Sequence, residues 1–157
     1  MTESASISAF PVPPVIKAIL VRCPVDTAFE RFTRDIHAWW PADSHSLGQG
    51  AVVHVGFEPH VGGRLFERTG DGTESTWGRV TTWEPPSRLV FTWYVGRTPD
   101  TAQAVEVKFE AHEGGTRVQL VHWGWERLGA AGPAARDEYD VGWDFVFGQR
   151  YAARANA

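Results

Sequence analysis

Apolar residues fall at Val25, Ala28, Phe29 and Phe32, the i, i+3, i+4, i+7 spacing that lays one stripe of a helix against a core. Pro24 stands just before this run, where its missing N–H does no harm. Upstream, residues 15–22 are β-branched and alternate in polarity, which predicts a first strand. Residues 35–40 predict a short second helical turn ended by Pro41, setting Trp39 and Trp40 side by side. A loop carrying Asp43, Ser44, Ser46, Gly48 and Gly50 follows. Six further strands are then predicted over residues 52–58, 63–68, 75–84, 88–95, 104–111 and 116–125. Turn residues separate them, among them Asp71-Gly72, Pro85-Pro86-Ser87, Thr98-Pro99-Asp100 and Gly114-Gly115, and connections this short make an antiparallel meander.

Beyond Gly129 the period changes. Pro133 suits the first turn of a helix in which Tyr139, Trp143, Phe147 and Tyr151 recur every four residues, while Arg136, Asp137, Asp140, Asp144 and Gln149 fall elsewhere. The buried stripe of this helix is therefore almost wholly aromatic. Gly142 and Gly148 lie inside it, where each costs about 1 kcal/mol relative to Ala, so a close approach to a sheet or a ligand is expected there. The fold class that follows is α+β, a curved antiparallel sheet of about seven strands around a long C-terminal helix. One domain is expected over residues 15–154, preceded by a loose tail over residues 1–14, where Pro11, Pro13 and Pro14 prevent a ladder.

Composition narrows the function classes. A net charge of -4, with lysine only at Lys17 and Lys108, leaves no electrostatic footprint for nucleic acid. No run approaches the ~18 apolar residues of a membrane span, so no membrane insertion is expected. Cys23 has no partner cysteine and the N-terminus lacks the pattern of a secretory leader, which makes a reducing cytoplasm the expected compartment. The six histidines show no H-x-x-x-H pair, and neither a G-x-S-x-G elbow, a phosphate-cradling loop nor a dinucleotide fingerprint is present; neither metal nor cofactor is expected. Eight tryptophans remain to be placed, and a residue that buries so much area is seldom spent on a surface.

The order of elements is joined by a set of short motifs: CPVDTAFERFT, Trp39-Trp40-Pro41, FEPHVGGRLFE, WGRVTTWEPPSRLVFTW, GGTRVQLVHWGWE and Gly142-Trp143. In this order the chain resembles the helix-grip (START-like, SRPBCC) superfamily, and within it the branch named after the activator of the Hsp90 ATPase, in its short bacterial single-domain form. The resemblance implies a cavity between sheet and C-terminal helix that takes hydrophobic or amphipathic small molecules. Some members are enzymes and others carriers or sensors, and fold does not choose among them.

Strand alternation maps the cavity. Leu89, Phe91 and Trp93 share one face and are expected to meet the helix; Val118, Leu120 and His122 share another inward face, with Gly78 and Val80 as counterparts, leaving Trp123 and Trp125 outward. The ligand-lining set is read as Trp39, Trp40, Trp77, Phe91, Trp93, His122, Trp143 and Phe147, each ring being equally able simply to fill the core. Glu58, Arg64, Glu67, Arg79 and His122 form a candidate polar cluster, against which stands a set of outer-face ion pairs. Three functions compete: binding of a hydrophobic or aromatic small molecule; a cyclase or hydrolase in which His122 with Glu58 or Glu67 shuttles a proton; and an Hsp90-type co-chaperone, a role the eukaryotic activator fills with a separate N-terminal domain not read here. The binding reading leads, and the outward tryptophans leave two alternatives open, a homodimer contact or a face covered by the N-terminal tail.

Overall fold

The computed structural model describes residues 12–157; the tail expected over residues 1–14 falls, for residues 1–11, outside the described residues. The element order is β1 (Val15–Val21), α1 (Val25–Thr33), α2 (Ile36–Trp39), β2 (Val52–Phe57), β3 (Arg64–Thr69), β4 (Glu74–Glu84), β5 (Arg88–Trp93), β6 (Gln103–His112), β7 (Gly115–Trp123) and α3 (Gly132–Phe145). A π-helical turn over Val146–Tyr151 and a last turn, α4 (Ala152–Ala155), continue α3. The strands form one seven-stranded sheet in the order β1-β7-β6-β5-β4-β3-β2. Every neighbouring pair is antiparallel, and β1 closes the meander by pairing with β7 from Val15 opposite His122 to Val21 opposite Thr116. The helix expectations hold as well, and none of the helices among the described residues is long and apolar enough to cross a membrane.

Two register shifts bend the sheet through β4, one between Leu65 and Phe66 of its partner β3 and one between Val80 and Thr82 against β5. A bulge breaks strict alternation and sharpens local twist. Trp77, Gly78 and Val80 are all buried as a result, where a regular strand would have turned Trp77 outward. Gly78 makes this possible: a Cβ there would stand 1.7 Å from the Thr92 carbonyl oxygen of β5.

Aromatic residues every four positions drift about 40° per step around an α-helix. The π-helical turn, wider than an α turn, takes up that drift. Phe147 and Tyr151 consequently stack, with ring centroids 5.7 Å apart and planes 6° from parallel. Tyr151 then donates its hydroxyl to the Ala28 carbonyl of α1 (2.7 Å), tying the C-terminal helix to the first one.

Candidate functional site

The concave face of the sheet has two ends. At one, Phe32 of α1 meets Trp39, Phe57, Phe109 and Tyr151 at centroid distances of 5.1 to 6.3 Å, and the space is filled. At the other, Trp40, Trp77, Trp93 and Trp143 surround a cavity of about 340 Å³ completed by Val95, Tyr139, Gly142 and Val146. The four indoles touch one another around it, at 5.0 Å for Trp40 with Trp77 and 5.7 Å for Trp93 with Trp143. Ser44, His45, Ser46 and Glu138 supply the polar part of the lining. A Cβ on Gly142 would meet nothing within 4 Å, so this glycine opens the cavity and does not serve a close contact with the sheet; Gly148 is likewise free of neighbours and exposed.

Each wall is held by a hydrogen bond from an indole N–H. Trp40 Nε1 donates to the His45 carbonyl (2.7 Å), fixing the loop at the mouth to the wall. Trp93 Nε1 donates to Tyr139 Oη (2.9 Å), and burial raises the pKa of that tyrosine. Trp77 Nε1 donates to Glu67 Oε1 (2.7 Å). Glu67, 1% exposed, also accepts the Leu47 N–H on Oε1 and the Gly48 N–H on Oε2, both at 2.8 Å. A buried carboxylate is tolerated when its lone pairs are met in this way. Glu67 therefore pins the mouth loop to β4, with three N–H donors on its carboxylate.

His122 lies behind the cavity, fully buried. Its Nδ1 accepts the Trp143 indole N–H (3.0 Å), so the imidazole proton sits on Nε2, which faces Gln103 Oε1 at 3.3 Å. Trp125 covers the ring at a centroid distance of 4.1 Å and donates its own N–H to the His122 carbonyl (3.0 Å). Among the described residues no carboxylate compensates for burial, and desolvation pushes the His122 pKa down to about 3. The histidine is a neutral strut for Trp143.

Of the eight residues read as lining, the structure places Trp40, Trp77, Trp93 and Trp143 on the cavity. Trp39, Phe91 and Phe147 are buried in the filled part of the core, and His122 is sealed behind Trp143 and Tyr139. Leu89, Phe91 and Trp93 do face inward together, as alternation predicts. The polar cluster does not assemble. Glu58, Arg64, Glu74 and Arg68 form a chain of partly exposed ion pairs at 2.9 to 3.0 Å, Arg79 reaches the Gly62 carbonyl, and Glu67 and His122 are separately engaged. Trp125 is also a correction: Gly124 takes φ +98°, ends the strand alternation and swings Trp125 inward, so it drops out of any outer contact surface. Ser44, His45, Tyr139 and Glu138 were not singled out as lining residues; only the recurrence of Tyr139 in the aromatic stripe hinted at one of them.

Comparison with known proteins agrees with this architecture. The profile for activator of Hsp90 ATPase homolog 1-like protein matches residues 22–149. Among solved structures, an anthrahydroquino-γ-pyrone synthase determined in a complex is 36% identical with a TM-score of 0.65, covering 91% of this chain and 97% of its own. A protein from Mesorhizobium loti (17% identity, TM-score 0.66, 90% and 95% covered) shares the fold. So does a protein from Bacillus halodurans (22% identity, TM-score 0.66, 92% and 98% covered). A search of curated proteins gave no match. With the profile spanning most of a helix-grip fold, the chain belongs to the family of activator of Hsp90 ATPase homolog 1-like proteins.

Proposed function

We propose that this protein binds a flat, polycyclic aromatic molecule bearing hydroxyl or carbonyl groups. The observation that carries the reading is the ring of four tryptophans around an open volume of about 340 Å³ at one end of the concave face. Indole walls favour a ligand that offers its own faces and edges to them, since aromatic pairs gain about 0.5–1.5 kcal/mol beyond area burial. Ser44, His45 and Ser46 bring polar groups to the lining from the mouth loop and Glu138 brings one from α3, so an oriented ligand with polar substituents fits better than a plain hydrocarbon. The 36% identical synthase, whose name places a fused aromatic ring system in its chemistry, supports the same class. Quenching of tryptophan fluorescence by alizarin, a dihydroxyanthraquinone, tests the reading against palmitate and cholesterol. Saturable one-to-one quenching by alizarin alone is expected; displacement of bound alizarin by palmitate or cholesterol, or no quenching, overturns it.

A second reading, ring closure of a polyketide-derived phenol in the same cavity, draws on the name of that synthase. The Hsp90-type co-chaperone expectation has the family name behind it and no feature of the cavity. In the leading reading the partner is the small molecule, in a cytoplasmic setting.

A further inference from the structure

We infer that His45, oriented by Ser44, is the proton acceptor and donor for a hydroxyl group on the occupant of the tryptophan cavity; this rests on the binding reading above and adds a chemical step to it. His45 lines the cavity from the mouth loop, and three contacts fix it. Its N–H donates to the Pro41 carbonyl (2.8 Å), its carbonyl accepts the Trp40 indole (2.7 Å), and its ring rests on Phe145 of α3 at 5.5 Å. Ser44 Oγ is 2.7 Å from His45 Nδ1 and 3.3 Å from the Pro41 carbonyl oxygen. A carbonyl can only accept, so a Ser44 hydroxyl donating to it receives the Nδ1–H, and the Nε2 lone pair is left free. Rotating the hydroxyl toward Nδ1 gives the other tautomer, with its proton on Nε2. The pair can therefore take a proton and return it. Among the described residues no side chain or carbonyl is hydrogen-bonded to Nε2, unlike His122, whose two nitrogens are both occupied. Imidazole is the side chain suited to moving a proton near neutral pH.

The step is a transfer of the ligand O–H proton to Nε2, leaving an oxyanion on the ligand and an imidazolium on His45; return of the proton restores both. The charged and titratable groups around it are Glu138 and Tyr139 across the cavity, Asp43 on the loop, and Arg150, whose guanidinium lies 5.9 Å from the Phe145 ring. Alizarin changes colour when it ionises, so a visible pH titration of the bound dye reads the step directly, with fluorescence quenching reporting binding separately. His45→Gln, titrated at dye concentrations that saturate it by quenching, should ionise the bound dye about one pH unit higher than wild type, and Ser44→Ala should shift it the same way by less. Glu138→Gln should shift the midpoint down, because a facing negative charge is removed. Equal midpoints in wild type, His45→Gln and Ser44→Ala with binding intact would overturn the inference and leave the binding reading standing. Absence of quenching in wild type overturns both.

Discussion

The two ends of the concave sheet face are built from the same kinds of residue and do different things. Around Phe32, rings from α1, α2, β2, β6 and the π-helical turn meet in tilted and edge-to-face pairs, and Trp39 and Tyr151 close the space. Around Trp143, equally large rings stand in contact with one another and leave about 340 Å³ between them. What differs is the company they keep. The filled end is plugged by α1, which donates Phe29 and Phe32, whereas the open end has a loop in place of a helix and a glycine, Gly142, in place of a side chain. Aromatic content builds a core or a pocket according to what plugs the gaps.

Truncation separates the two ends most sharply. Phe32→Ala should cost about 3–5 kcal/mol in urea unfolding, since it empties a packed site, while the affinity of the molecules that remain folded for alizarin stays unchanged. Acid should act on the strut behind the open end. The folded pKa of His122 lies near 3, below the ordinary value of 6.5, so the unfolded chain binds the proton more readily. Stability from this residue is full above about pH 6.5 and is lost as pH falls from there toward 3, at up to about 1.4 kcal/mol per pH unit. His122→Asn, which keeps an acceptor for Trp143, should flatten that slope, as pH-resolved urea melts would show.

Glu67→Gln tests the loop at the mouth. Losing the charge while three N–H donors still point at the site should cost about 1.5–3 kcal/mol, and hydrogen exchange at Leu47 and Gly48 should accelerate with it. Trp93→Leu should cost less, about 1–2 kcal/mol, because one side of its ring already faces open volume, yet it should weaken alizarin binding at least tenfold. The smallest stability change is expected for Gly142→Ala. The new methyl meets no atom within 4 Å and removes a helix-interior glycine, so thermal stability should rise by up to about 1 kcal/mol while dye affinity falls. Opposite signs from one methyl group would separate cavity from core within a single variant.

Much of this architecture was legible in the sequence because it rests on periodicity. The 3.6-residue stripe at Val25 to Phe32, the alternation through Leu89, Phe91 and Trp93, and the turn residues between strands each have one local solution. The site was legible only in part. Strict alternation cannot anticipate a bulge, so it gave no reason for Trp77 to be buried beside Gly78 and Val80. Nor does it survive a left-handed glycine, and Gly124 turned Trp125 from an outer residue into the cover of His122. The polar residues were grouped by type and proximity along strands, whereas Glu67 spends its oxygens on backbone N–H groups of a loop far away in sequence. Which rings would border a void depended on that loop, whose conformation no periodicity encodes.

The central claim is that ligand binding belongs to the open end alone. Eight tryptophans provide eight indole N–H reporters, and a ¹⁵N–¹H correlation spectrum titrated with alizarin reads them all at once. The account predicts large, saturable shifts for the indole signals of Trp40, Trp77, Trp93 and Trp143, with Trp39 and Trp83 unmoved. Shifts centred on Trp39, or confined to Trp123 on the outer face of the sheet, would contradict it.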